Sequence, residues 1–161
     1  MAGPIDPIDP IDRLVARQAV ADLIGRYCML FDDQDWDGLA QLWTDDAAFV
    51  VEETAFEPRE VLVEFLRTCL PSGYQSKHMI SPPIVAVADD GCTATARTDV
   101  VWLPANFEVT IVARYDDELV LEPDGWKFRR RVEHPVPHVP GPPPMSTDAT
   151  GVSAPTMKSS S

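Results

Sequence analysis

Residues 19–43 read AVADLIGRYCMLFDDQDWDGLAQLW, and two helical periods can be counted in them. Val20, Leu23, Ile24, Tyr27 and Phe31 fall at steps of three and four, the spacing of one helix face, while Asp22 and Arg26 take other faces. Carried back through Arg17, the pattern predicts one long amphipathic helix from about Ile11 to Phe31. A second, short helix is predicted over Trp36 to Trp43. Asp35 caps it, and Trp36, Leu39, Leu42 and Trp43 form its apolar side. Upstream, MAGPIDPIDPID holds a tripled Pro-Ile-Asp unit. Prolines this dense prevent an early helix start, so residues 1–11 read as an extended arm. The last copy supplies a start signal, with Asp9 as N-cap and Pro10 as first helical residue.

Downstream, Thr44-Asp45-Asp46 reads as a turn and Ala47 to Val51 as a short strand. A third helix is predicted from Pro58, as its first residue, to Leu70, with Val61, Leu62, Phe65, Leu66 and Cys69 as its buried stripe. The period then changes from helical to alternating. Extended runs cover Tyr74 to Ile80, Ile84 to Ala88, Cys92 to Leu103, Phe107 to Leu121 and Trp126 to Glu133. The punctuation between them is Pro82-Pro83, Asp89-Asp90-Gly91, Pro104-Ala105-Asn106 and Pro123-Asp124-Gly125. Three helices grouped before an antiparallel meander indicate an α+β class. A strongly bent sheet wrapped over helices leaves a cavity at its open end, a common ligand site. After His134 six prolines crowd into residues 135–144, and the Pro/Ser-rich stretch 134–161 has too little to bury to fold.

The 161 residues suit one domain, and 45% hydrophobic residues is a globular composition. A formal net charge of −13 repels nucleic-acid phosphates and anionic membranes, so neither is an expected partner. No apolar run approaches the roughly 20 residues that span a bilayer, and the N-terminus lacks the pattern of a secretory signal. Cys28, Cys69 and Cys92 are odd in number and scattered, which suits buried free thiols in a reducing cytoplasm. No metal-ligand spacing is present, and no metal or cofactor is expected. A phosphate-binding glycine loop and a nucleophile elbow are also missing.

Particular residues carry a resemblance to a known family. Ala19–Trp43, Thr44-Asp45-Asp46-Ala47, Lys77-His78-Met79-Ile80, and residues 90–100, 113–120 and 124–132 together resemble, in order, the SnoaL-like branch of the nuclear-transport-factor-2-like superfamily. The likeness covers about residues 12–133. It implies a cystatin-like α+β cone, a strongly bent antiparallel sheet over three N-terminal helices. It also implies the chemistry of polyketide cyclases and dehydratases, and a homodimer or trimer formed through the outer sheet face.

The same resemblance proposes site residues. Tyr27 and Asp32 repeat the spacing of a tyrosine and an aspartate that line the pocket of the related dehydratases. Five residues is about 140° around a helix, so the two share a pocket only if the helix ends near Phe31. His78 stands where those enzymes carry their catalytic histidine, and an imidazole can accept and return a proton near neutrality. Arg97 and Asp99 share one strand face. Pattern places that face in solvent or at an interface, because Ala94, Ala96, Thr98 and Val100 form the small, apolar set. The resemblance places it in the pocket, with Asp99 as partner of His78 and Arg97 near substrate. In the basic run Arg129-Arg130-Arg131, Arg130 shares the parity of Trp126, Phe128 and Val132 and is taken as the inward member, with pairs across to Asp116, Asp117 or Glu118 on the rest. Trp43, Phe49, Val51, Phe65, Trp102 and Phe107 are expected as pocket walls or core.

The expectation is therefore a cofactor-independent lyase or isomerase acting on an apolar, polycyclic, polyketide- or steroid-like substrate. His78 is its base, Asp99 or Asp32 orients the ring, and Tyr27 holds the carbonyl or leaving oxygen. One rival is a non-catalytic ligand-binding or dimerisation module, in which His78 and a carboxylate would not converge. Another is epoxide hydrolysis. That chemistry resembles an Arg-x-Asp strand with a second carboxylate on the last strand, which Lys127-Phe128-Arg129-Arg130-Arg131 leaves missing.

Overall fold

The computed structural model describes residues 8–70, 72–104 and 111–137. The first seven residues of the predicted arm, the turn at Ala105-Asn106, Phe107 and the tail from residue 138 lie outside the described residues.

Helix α1 spans Pro10–Asp32. Its start follows the local chemistry: the Asp9 carboxylate accepts from the Ile11 backbone N–H at 2.8 Å, with Pro10 just inside. The expected stripe is buried, joined by Ala16, Cys28 and Asp32. Helix α2 is only Trp36–Ala40, capped by Asp35 at 2.9 Å to the Gly38 N–H. It stops short of Trp43 because the Leu42 carbonyl accepts from Phe128, drawing the backbone into the sheet. Strand β1, Trp43–Val51, then pairs antiparallel with a short strand β2, Thr54–Phe56, that the hydrophobic pattern did not show. The expected turn at Thr44-Asp45-Asp46 is an irregularity inside β1, where its register against the last strand shifts between Trp43 and Ala48.

Helix α3 is Arg59–Cys69, with Pro58 at the N-cap rather than at the first helical position. Its buried side is Leu62, Val63 and Leu66, while Val61 is 49% exposed. The stripe is therefore rotated slightly from the expected one. Strands β3 (Ser76–Ile80), β4 (Ile84–Val87), β5 (Thr93–Pro104), β6 (Ile111–Glu122) and β7 (Gly125–Pro135) complete the chain. In the turn before β5, Asp90 accepts from the N–H groups of Cys92 and Thr93, and Gly91 supplies the positive φ of 69°.

The seven strands run β2-β1-β7-β6-β5-β3, with β4 also on β5. All pairings are antiparallel except β1 with β7, which is parallel. The sheet is thus mixed and unclosed, the one parallel pairing being the departure from the antiparallel sheet expected, and the fold is the expected α+β sheet over three helices. Its inner face packs on the helices around Ile24, Leu39, Trp43, Leu62, Leu119 and Phe128, all essentially inaccessible to solvent. Of the three free cysteines, Cys28 is buried while Cys69 and Cys92 are exposed, correcting the expectation of three buried thiols. No helix among the described residues is long and apolar enough to cross a membrane.

Candidate active site

A cavity of about 150 Å³ lies between the helices and the open end of the sheet. Its walls are aromatic: Tyr27 and Phe31 from α1, Phe49 from β1, Phe65 from α3 and Trp102 from β5. Tyr27, Cys69, His78 and Glu133 are its lining residues with titratable side chains.

The last residue of α1 and the start of β3 build the central pair. Asp32 points from the helix end at the entering strand, where Ser76 and His78 share a face by alternation. One carboxylate oxygen receives the Ser76 hydroxyl at 2.7 Å and stands 2.8 Å from His78 Nδ1; the other accepts the His78 backbone N–H at 2.9 Å. Lys77 Nζ lies at 3.9 Å. Burial alone would push the Asp32 carboxyl up, but the hydrogen bonds from His78 and Ser76 outweigh it and hold it below the ordinary 3.8. Asp32 is therefore ionised at neutral pH and accepts a hydrogen bond from Nδ1–H. Nε2 is left with its lone pair in a ring that lines the cavity.

Tyr27 stands behind this pair, its ring centroid 6.2 Å from that of His78 and edge-on to Trp43, Tyr115 and Phe128. Burial raises its phenol well above 10, against the opposing charge of Arg131, so it stays a hydrogen-bond donor. Arg131 lies 4.3, 4.2 and 4.4 Å from the ring centroids of Tyr27, Tyr115 and Phe128. Its Nε and Nη2 meet Asp117 at 2.6 and 2.9 Å in a fork, with both side chains 0% exposed. Burial opposes the Arg131 charge, and Asp117 holds it in place.

The structure brings Tyr27, Asp32 and His78 together and sends other candidates elsewhere. Asp99 is exposed on the outer face, bound to Arg114 at 2.7 Å, and Arg97 is exposed beside it, bound to Asp116 at 2.7 and 3.3 Å. Neither reaches the cavity, because Ala94, Ala96, Thr98 and Val100 take the inward positions of β5. Strand alternation decides here, as the pattern indicated and the resemblance did not. Arg130 is not the inward arginine. Glu118 pairs with Arg130 and Leu119 with Phe128, so Arg129 is an unpaired extra residue; this bulge reverses the parity and turns Arg131 inward. Arg129 instead meets Glu118 at 3.1 Å. Phe49, Val51, Phe65 and Trp102 line the cavity, whereas Trp43 is core behind it, 4.9 Å from the Phe128 ring.

Sequence reasoning missed Tyr115, Ser76 and Glu133; it included Arg131 and Asp117 in an expected cross-strand pairing but not as the inward, buried pair. Ser76 was accessible by counting two back from His78. Glu133 follows from counting inward positions past the bulge, and it supplies a cavity-facing carboxylate on the last strand, where none was expected. Among the described residues, no group of three His, Cys, Asp or Glu side chains is placed to hold a metal ion.

A SnoaL-like domain profile matches residues 12–132. A putative scytalone dehydratase from Novosphingobium aromaticivorans is 19% identical, with 86% of this chain and 98% of that one covered at a TM-score of 0.70. An NTF2-like protein with a cystatin-like fold from the same organism is 26% identical over 78% and 85% of the two chains, at 0.68. ActVI-ORFA from Streptomyces coelicolor is 23% identical over 76% and 96%, at 0.65. These likenesses are likenesses of fold. No curated protein matches the chain.

Proposed function

This chain belongs to the SnoaL-like domain family, and from that premise we propose that it is a lyase or isomerase of the dehydratase or cyclase kind, moving protons on a small apolar carbonyl compound. The observation that carries this reading is the buried Asp32–His78 pair, 2.8 Å apart, at the wall of an aromatic cavity. Asp32 fixes the imidazole tautomer and favours the imidazolium once a proton arrives. His78 Nε2 takes that proton from the carbon next to the carbonyl, and the Tyr27 phenol donates to the oxygen on which charge develops. The aromatic walls hold a flat ring and keep water from competing. Proton transfer and positioning suffice for this chemistry.

The cavity sets a size. A dry cavity of about 150 Å³ takes one benzene-sized ring, so a polycyclic or steroid-like substrate would place one ring inside and extend through the mouth. A purely ligand-binding module gives no reason for His78 to meet a buried carboxylate with its second nitrogen left for the cavity. Epoxide hydrolysis by an Arg-x-Asp strand finds no support, because Arg97 and Asp99 face solvent.

Exchange of the α-hydrogens of cyclohexanone in heavy water, followed by proton NMR, tests the reading without knowledge of the natural substrate. The native protein is expected to accelerate exchange, and His78→Ala to lose about 10²–10⁴-fold of it. Full exchange by His78→Ala sinks the mechanism, and no acceleration by the native protein favours the binding module.

A further inference from the structure

Of the titratable groups at the cavity, the scheme above leaves Glu133 and Cys69 unused, and Glu133 is the carboxylic acid. It sits on β7, opposite Val51 of β1 and Tyr115 of β6, and is 8% exposed. It lines the same cavity as His78, yet its carboxyl has no hydrogen-bond or ion-pair partner among the described residues. Arg131, whose charge acts on it, is committed to Asp117 through Nε and Nη2. An unpartnered carboxylate in an aromatic cavity is costly, and the neutral acid relieves the cost while offering an O–H. Burial accordingly pushes the Glu133 carboxyl up, with Arg131 only partly opposing. Besides His78, the base of the scheme, the titratable groups around Glu133 are Tyr27 on α1, Cys69 on α3 and Tyr115 on β6. Burial raises these three too, so none of them competes as a proton donor near neutrality.

We propose that Glu133 is the acid of this site, giving its carboxyl hydrogen to an oxygen leaving the substrate, and that the substrate is a neutral, one-ring β-hydroxy ketone that loses water. This deepens the reading of His78 as base and rests on it. His78 Nε2 removes the hydrogen next to the carbonyl. The released electron pair forms the carbon–carbon double bond, the carbon–oxygen bond breaks, and the departing oxygen takes the Glu133 hydrogen to leave as water. The imidazolium and carboxylate left behind are reset by returning the proton from His78 to Glu133 through solvent. No oxidant or reductant is needed, and the aromatic walls accept the flat enone product.

The test compares two probes, 3-hydroxycyclohexanone and 3-acetoxycyclohexanone, both yielding cyclohexenone and followed by its ultraviolet absorbance. Hydroxide needs an acid in order to leave and acetate does not. Glu133→Gln is expected to lose about 10²–10⁴-fold on the hydroxy probe and to change little on the acetoxy probe. Glu133→Asp, which keeps an acid, should recover part of the hydroxy rate. Equal losses on both probes overturn the proposal, as does native protein inert toward the hydroxy probe. Carboxyl infrared absorption gives an arm independent of turnover: the native protein at neutral pH should show the stretch of a protonated acid that Glu133→Gln removes, and its absence also overturns the proposal. Failure of the underlying reading looks different, because His78→Ala would then keep its rate on the acetoxy probe.

Discussion

Removing Asp117 should unfold this protein more readily than removing both Asp117 and Arg131. The two side chains are 0% exposed and joined by bonds of 2.6 and 2.9 Å. Asp117→Ala leaves a guanidinium that cannot shed its proton sealed among three rings, and its Nη1 already lacks a hydrogen-bond partner. Breaking one side of a buried pair costs about 3–5 kcal/mol. At roughly 3–5 °C per kcal/mol for a domain this size, the thermal midpoint should fall by about 10–25 °C. Arg131→Met leaves a carboxyl that can take up a proton, which limits the cost; burial already pushes the Asp117 carboxyl up. That variant should therefore be the milder single. The double variant strands no charge and should be more stable than Asp117→Ala alone. Urea denaturation of the four proteins, monitored by tryptophan fluorescence, gives the coupling directly. If the two single losses simply add in the double variant, the pair is not a coupled unit and the reasoning fails.

Asp32→Asn should cut cyclohexanone exchange by about 10²–10⁴-fold, because an amide no longer selects the Nδ1–H tautomer; an unchanged rate would remove Asp32 from the mechanism. Because the folded Asp32 carboxyl lies below its ordinary 3.8, the stability it contributes is complete above that value and disappears as pH falls through the lower folded one. Acid denaturation followed by circular dichroism should therefore be shallower for Asp32→Asn below about pH 4. Asp99→Asn and Arg97→Gln should leave the exchange rate where it is, since both residues sit on the outer face; a large loss would return that face to the site. A thiol reagent should label Cys69 and Cys92 in the native protein and reach Cys28 only on unfolding, as a peptide map would show.

The local features of this fold were legible because they depend on near neighbours. The α1 stripe, its Asp9 start and the Asp90-Gly91 turn each follow from residues within one or two turns of chain. Tyr27, Asp32 and His78 could be singled out by family likeness, but nothing local says that the end of α1 faces β3. The β1–β7 pairing joins strands from opposite ends of the domain, and its direction belongs to the chain path rather than to any hydrophobic pattern.

The sequence by itself determined the long helices α1 and α3 and the strands of the meander, though not β2 or the extent of α2 and β1, and that alternation along β5 puts Ala96 and Thr98 inside and Arg97 and Asp99 outside. Only the tertiary structure decided which arginine enters the core. One unpaired residue at Arg129 shifts the period of two, so Arg131 and Glu133 replace Arg130 and Val132 on the inner face. A bulge is fixed by the register of two strands against each other, and one strand's own residues do not encode it.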